Sequence, residues 1–326
     1  MPGESFGLEF RPATLADAEL VAVLDTLADP DEPRDASNIR HWWTMNDAND
    51  VTMRRVAMHD GAAVAFLSAR HDPWETTAKR FGVIRLNLRE DAWTEARFET
   101  LVKVAEEWMR QEGVITAVIR QREDFRKELD LLDRLGYRER SRARTSELDL
   151  VERRDHIRST VAACREQMRE RGIRLMVLSE DRDPEKMTKL YRMLVEAEKD
   201  IPSTTPWRVL NFDAWKRFWF ANPSIHQDRY WIARQDESIV GMTALDFPST
   251  RRGVPNTAMT ATAPAVRGRG IARALKYEAM NQAIELGFSR VRTNNDADNA
   301  PMLRINIEMG YRLVRPTIEL HRDLTA

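Results

Sequence analysis

The sequence predicts two mixed α/β domains built on one plan, each a sheet flanked by helices. Three observations carry this. The 326 residues are enough for two cores of about 150 residues each. Strand-like and helix-like hydrophobic periods interchange along the chain, in an order too irregular for a regular doubly wound sheet. The second half also repeats the first: Gly113 and Gly287 lie 174 residues apart, as do Gly136 and Gly310. In that register Leu101 faces Leu275, Ala105 faces Ala279, Leu129 faces Leu303, and Gly136-Tyr137-Arg138 faces Gly310-Tyr311-Arg312. Agreement at two helix-ending glycines without a gap marks a duplication.

The first half opens with a strand at 8–12, a helix at 16–28 and a second helical stretch at 37–47. Alternating, β-branched runs at 51–60, 62–71 and 80–88 read as strands. Phe98, Leu101, Val102, Ala105, Trp108 and Met109 are spaced three and four apart, which puts them on one face of a helix that Gly113 ends. A strand at 114–121, a helix at 124–136 and a strand at 137–150 close the half. The charged stretch 151–172 reads as a joining helix. The second half repeats the scheme: a strand at 174–180, helices at 183–200 and 211–222, strands at 229–236, 238–247 and 257–262, and a long helix up to Gly287. A strand at 290–295, a helix at 299–310 and a strand at 311–324 complete it. The domains expected are therefore 1–150 and 173–326, joined by the helix 151–172.

Composition narrows the function classes. Apolar residues make up 42% and charged residues 32%, with 51 Lys plus Arg against 52 Asp plus Glu. So small a net charge gives no whole-molecule attraction to nucleic acid or to an anionic membrane. The arginine-rich runs 138–146 and 151–160 are interleaved with acidic residues and have no aromatic platform beside them. A single cysteine, Cys164, excludes an intramolecular disulfide and a Cys-based zinc site. The six histidines show no ligand pairing on one helix face, and the segment 294–299 lacks the glycine and late glutamate of a calcium loop. With no apolar run of membrane-spanning length and no signal-like start, the expectation is a cytoplasmic protein without metal.

The sharpest chemical signal is 260–276, where a strand runs through Pro264 into the turn Arg267-Gly268-Arg269-Gly270 and straight into a helix. Free N–H groups at a helix start converge on one point and the helix dipole adds positive potential. Two glycines let a phosphate approach the main chain, and Arg267, Arg269 and Arg273 add charge around it.

In its context this turn resembles the Gcn5-related N-acetyltransferase (GNAT) superfamily: strand, R-x-x-G-x-A, long helix, strand, then N-x-P-M-x-x-x-N-x-x-x-G-Y from Asn299 to Tyr311. The resemblance is strong over about 173–324 and reaches 8–150 through the repeat. It implies tandem GNAT domains, as in mycothiol synthase-like proteins, each a mixed, mostly antiparallel sheet flanked by helices. It implies acetyl-CoA as co-substrate, with Arg267, Gly268, Arg269, Gly270, Ile271 and Ala272 around the pyrophosphate and Asn299 heading the next helix. Shifted by 174, these positions fall on Trp93, Glu95, Ala96, Phe98 and, for Asn299, Phe125. An acidic side chain at the mouth of the turn and bulky aromatics in it make the first half a copy that does not bind the cofactor.

The activity implied is acetyl transfer to a small-molecule amine by direct attack on the thioester. The backbone at 261–263, centred on Thr262, is then the oxyanion donor, and Thr262 also borders the cofactor. Where many family members place a tyrosine, this chain has Asn306, whose amide hydrogen-bonds a thiolate but cannot protonate it. Either that hydrogen bond suffices or Tyr311 or Tyr277 serves, although the copy of Tyr311 at Tyr137 points to packing. Asn306 also departs from the mycothiol synthase pattern. Candidate bases are Asp246, His226, Glu196 and Asp200, or a water chain. The loop 200–207 falls where the family builds its acceptor pocket, which makes Asp200 and Trp207 substrate contacts. Trp215, Phe218 and Trp219 stand at helical spacing and read as core. The competing function is a catalytically silent acyl-CoA sensor. The state of association is open between monomer and homodimer.

Overall fold

The computed structural model describes residues 6–325 apart from 31–32, 78, 202–203, 206–207 and 249–252. In chain order the first stretch comprises β1 (Glu9–Pro12), α1 (Ala18–Ala28), α2 (Ala36–Asn49), β2 (Val51–His59), β3 (Ala62–His71), β4 (Phe81–Leu88), α3 (Glu95–Gln111), β5 (Thr116–Arg122), α4 (Arg126–Arg134) and β6 (Arg138–Asp149). The second comprises α5 (Arg154–Glu170), β7 (Ile173–Val177), α6 (Lys186–Glu198), α7 (Phe212–Phe220), β8 (Tyr230–Gln235), β9 (Ser238–Asp246), β10 (Asn256–Thr262), α8 (Ile271–Glu285), β11 (Arg290–Asp296), α9 (Ala300–Met309) and β12 (Arg312–Asp323). The duplication is visible to the residue: β11 and β12 reproduce β5 and β6 at a displacement of 174 at both ends.

Two compact units form, and neither is contiguous in sequence. One takes the described residues up to Ala143, those of 203–208 and those from Arg315 onward; the other takes 144–201 and 209–314. The break expected at 150 therefore gives way to an exchange of terminal strands. β12, the last strand of the chain, belongs to the first unit, and the segment 144–149 of β6 belongs to the second.

The sheet of the first unit has the order β1-β2-β3-β4-β5-β12. All its neighbours are antiparallel except the parallel pair β4–β5. Leu101, Val102, Ala105 and Met109, the predicted face of α3, bury themselves against Ala65, Leu67, Ala69 and Ile84, with Ile318 and Leu320 of β12 in the same core. Each of the Leu, Val, Ile and Met side chains contributes about 1.5–3 kcal/mol of hydrophobic stabilisation.

The second unit orders its strands β6-β11-β10-β9-β8-β7. Its sheet is covered on both faces, so β9 is buried almost continuously rather than alternately. One face carries α6 and α7, where Leu190, Leu194, Trp215 and Trp219 pack on Ile232, Met242 and Ala244. The other carries α8 and α5, with Ile271, Leu275, Ala279 and Met280 beside Ile157, Val161, Cys164 and Met168. The stretch expected to join two domains is thus an integral helix of the second unit. Gly241 marks how closely α8 approaches: a Cβ there would lie 2.8 Å from Ile271 Cγ2 and 3.1 Å from Leu275 Cδ1. No helix among the described residues is long and apolar enough to cross a membrane.

Candidate active site

The site begins where two strands part. β10 and β11 run parallel but are registered only at Asn256 and Arg292, so their C-terminal ends diverge. On its other side β10 stays paired with β9, Ala261 opposite Met242 and Thr262 opposite Gly241. The Ala263 N–H donates to Val240 O at 3.0 Å. Since hydrogen-bonded and non-bonded pairs alternate in an antiparallel ladder, the backbone groups of Ala261 face β9 and those of Thr262 face the gap. Of the three positions expected to supply an oxyanion donor, only the central one presents its N–H there.

Beyond Thr262 the chain makes one 3-10 turn, Pro264–Val266, and enters Arg267-Gly268-Arg269-Gly270. Gly268 and Gly270 have φ of 76° and 81°, left-handed values that strain any residue with a Cβ. The Cβ position of Gly268 meets nothing within 4 Å. Gly270 is the N-cap of α8 and offers no side chain to its first turn. The leading N–H groups of α8 therefore lack the usual side-chain cap. The side chain of Ile271 is buried and anchors the helix on Gly241, Ala272 is half-buried, and Arg267 and Arg269 are exposed.

Arg267 is held by Asp200, Nη1 to Oδ2 at 2.5 Å, and also reaches Ala197 O at 3.4 Å. Asp200, expected as an acceptor contact, is thus brought to the phosphate turn by a charge pair. Trp207 lies outside the described residues. Arg171 was not foreseen: its guanidinium donates to Arg269 O across 98 residues of chain, a contact with no local signature. Arg273 donates to Glu308 Oε1 at 2.7 Å and to Cys164 Sγ at 3.0 Å, tying α8 to α9 and α5. Burial raises the Cys164 thiol above its ordinary range, which keeps it protonated and a poor nucleophile.

Other expected residues are placed elsewhere or are already engaged. Asp246 pairs with Asn256 at the start of β10, six residues from Thr262 and so about 20 Å away along the strand. His226 shares that distant end, edge-on to Phe247, and burial there pulls its pKa down. Neither reaches the gap. The Asn299 side chain caps α9, accepting the Met302 N–H at 3.3 Å. Asn306 is buried; its Nδ2 donates to Asn295 Oδ1 at 2.7 Å, and its Oδ1 has no partner among the described residues. The amide nitrogen meant for a thiolate is therefore engaged, and the atom left over is an acceptor. Tyr311 is buried with its hydroxyl 3.4 Å from Met280 Sδ, a packing position. Tyr277 is buried on α8, its hydroxyl 3.2 Å from His156 Nε2, and burial raises its pKa.

One ionisable group escaped notice altogether. Lys276 is wholly buried on α8; its Nζ has no hydrogen-bond partner among the described residues and sits 5.1 Å from the centre of the Tyr311 ring. Burial alone draws its pKa down to about 7. In sequence it stands among ordinary polar and apolar helix residues, and nothing local marks it.

The counterpart in the first unit is closed. Thr94 caps α3 by accepting the Arg97 N–H at 3.2 Å, and Glu95 occupies the first turn. Phe98 is buried in the core, and Lys127 covers the Trp93 ring at 4.3 Å. That helix start has its own cap and its own negative charge where α8 has neither. Among the described residues of the chain, no group of three or more His, Cys, Asp or Glu is arranged to hold a metal.

Comparison with known proteins agrees with this geometry. Residues 192–311 match the sequence model of the acetyltransferase (GNAT) family. No match was found among the curated proteins. Among solved structures, a GCN5-related N-acetyltransferase from Sphaerobacter thermophilus superposes with a TM-score of 0.68 at 18% identity, covering 97% of this chain and 96% of its own. A tandem GNAT protein from the clavulanic acid biosynthesis pathway gives 0.72 at 15% identity, covering 97% and 98%. A GCN5-related glucosamine N-acetyltransferase region of a fungal multi-domain β-N-acetylglucosaminidase gives 0.67 at 15%, covering 97% of this chain and 38% of that one. Residues 192–311 are thus similar to the GNAT family, and the chain has, over nearly its whole length, the fold of tandem GNAT proteins.

Proposed function

We propose that the second unit transfers the acetyl group of acetyl-CoA to the amine of a small molecule. The observation that carries this is the uncapped start of α8 behind Gly268 and Gly270, next to the strand gap faced by Thr262. The N–H groups of the turn and of the first turn of α8 hold the pyrophosphate, with Arg269 beside them. The thioester lies in the gap between β10 and β11, where the Thr262 N–H donates to its carbonyl oxygen as negative charge gathers there. The amine nitrogen attacks the carbonyl carbon, the carbon–sulfur bond breaks, and the thiolate departs. With Asp246 and His226 at the far end of β10, the proton leaves to water or to Asp200, the carboxylate paired with Arg267 of the turn. A small-molecule acceptor fits the name of the similar fungal region, a glucosamine N-acetyltransferase. The first unit, with α3 capped, has no cofactor role.

Acetyl-CoA is expected to raise the melting temperature by mass action, and Gly270→Glu to abolish the shift, while Ala96→Gly leaves it intact. Absence of any shift at millimolar acetyl-CoA overturns the reading. The engagement of Asn306 by Asn295 keeps a second reading in play, an acyl-CoA sensor without turnover. Release of free CoA thiol across a panel of amines separates the two.

A further inference from the structure

Each unit closes its sheet with a strand encoded in the other half, although a contiguous arrangement, β6 in the first unit and β12 in the second, is open to the same sequence. The two strands sit in one register. The Leu324 N–H donates to Ile115 O and the Leu150 N–H to Ser289 O, both at 2.8 Å and displaced by 174 residues at either end. A residue of one strand therefore has a counterpart that stands in the same place in the other sheet, and side chains decide between them.

On the core face of the first unit, Glu106 of α3 is 1% exposed. Arg322 Nη1 donates to both its oxygens, at 2.7 and 3.0 Å, the Tyr137 hydroxyl at 2.9 Å and Arg110 Nη2 at 3.2 Å. Ile318 and Leu320 share that strand face and belong to the core. β6 would bring Leu148 to the place of Arg322, and Arg144 and Ser146 to those of Ile318 and Leu320. A buried carboxylate that loses its arginine is strongly destabilising. In the second unit the counterparts of Glu106, Arg110 and Tyr137 are Met280, Ile284 and Tyr311, and Leu148 packs with them in one apolar cluster. β12 would set Arg322 among these three with no carboxylate from them, in a cluster that already holds the amine of Lys276 near Tyr311.

The other face of the strands repeats the choice. Glu319 stands opposite Arg120 on β5 and accepts from its Nε at 2.7 Å. In the second unit the place of Arg120 is taken by Asn294, and the cation is two residues away at Arg292, which donates to Glu147 Oε2 at 2.8 Å. β6 in the first unit would set Thr145 beside Arg120 and Glu147 beside Val118; β12 in the second would set Glu319 beside Asn294 and His321 beside Arg292. The pairs Glu106–Arg322, Arg120–Glu319 and Arg292–Glu147 are all made with the strands exchanged and all lost with them contiguous.

We propose that these side chains are a strand-selection code, which commits β12 to the first unit and β6 to the second. The code is independent of the acetyl-CoA reading. It bears on the candidate site all the same, since β6 pairs with β11, one side of the gap that Thr262 faces.

The test uses the full chain with Thr116→Cys, Asp149→Cys and Asp323→Cys together. Asp323 stands opposite Thr116 in the exchanged arrangement, and Asp149 takes its place in the contiguous one. In a glutathione buffer the disulfides exchange until the more stable pairing dominates, and peptide mapping gives the ratio of the 116–323 link to the 116–149 link. The 116–323 link is expected almost alone. Adding Glu319→Thr and Arg322→Leu, which give β12 the residues of β6 at two positions, is expected to raise the 116–149 share about tenfold or more. Trading the residues of 144–148 for those of 318–322 is expected to make 116–149 the main link, because every pair is then met in the contiguous arrangement. A 116–149 share unmoved by the two added substitutions overturns the code, whether or not the fully traded chain folds. A traded chain that folds and keeps the 116–323 link overturns it as well.

Discussion

The carboxylate of Asp200 lies 2.5 Å from the guanidinium of Arg267, so the end of α6 is clasped to the first residue of the phosphate turn. Both side chains are partly exposed, and the pair itself stabilises the fold little. Its importance is electrostatic: the carboxylate offsets positive charge at the turn, where the proposed function puts a diphosphate. Asp200→Asn is expected to tighten acetyl-CoA binding two- to fivefold at low salt, with the gain fading at high salt. Calorimetric titration at two ionic strengths checks this, and unchanged affinity at low salt refutes it.

Thr262 and Ala261 differ in which way their N–H groups face, and proline separates them. Thr262→Pro removes no bond from the β9 ladder, so the protein is expected to fold and bind acetyl-CoA while turnover drops about 10²–10³-fold. Ala261→Pro deletes a ladder bond and is expected to lower the melting temperature markedly. Retention of wild-type turnover in Thr262→Pro removes the oxyanion role.

Lys276 predicts a pH dependence with a definite sign. Its pKa is about 7 in the folded chain, against an ordinary 10.5. Between these values the unfolded chain binds the extra proton, so stability rises with pH across that window. Below about 7 both states are protonated and the full penalty applies, on the order of several kcal/mol. Lys276→Met is expected to raise the melting temperature by about 5 °C or more at pH 7, with the gain shrinking towards pH 10. Thermal unfolding of both proteins at a series of pH values is the measurement, and a gain independent of pH counts against the buried-amine account.

Glu319 of the first unit predicts the opposite sign. Burial pushes its pKa up, but hydrogen bonds from His321 and Thr204 and the charge and hydrogen bond of Arg120 outweigh this and hold it at about 2, below the ordinary 4.5. The stability it contributes is complete above about 4.5 and is lost as pH falls towards 2. Glu319→Gln is expected to cost on the order of 2–3 kcal/mol at pH 7 and to flatten the acid limb of unfolding. A denaturant series at pH 7 and pH 3 measures it; equal losses at both values exclude the carboxylate as the cause.

Much of the fold was legible because it rests on local pattern. Leu101, Ala105 and Met109 repeat at helical spacing, Gly113 and Gly136 stop their helices, and the displacement of 174 carried the secondary structure of one half onto the other. The turn 267–270 that opens α8 was legible for the same reason, since two glycines, arginines and a helix start stand side by side in the chain. What stayed hidden depends on partners distant in sequence. The strand exchange could not be read because β6 and β12 are equivalent copies, and the residues that tell them apart meet partners on other elements. Asp246 looked eligible as a base because a strand shows its composition and not its far end. Nothing local marks Lys276, because its burial comes from packing against residues distant in the chain such as Tyr311, 35 residues on.

The exchanged strand sets the order in which the chain can finish folding. While the first half is being synthesised, β12 does not yet exist, and the bare edge of β5 has only β6 within reach, a copy of the strand it is to receive. The first unit therefore cannot complete its sheet until the residues from Arg315 onward are made, so the closing of its core waits for nearly the whole chain.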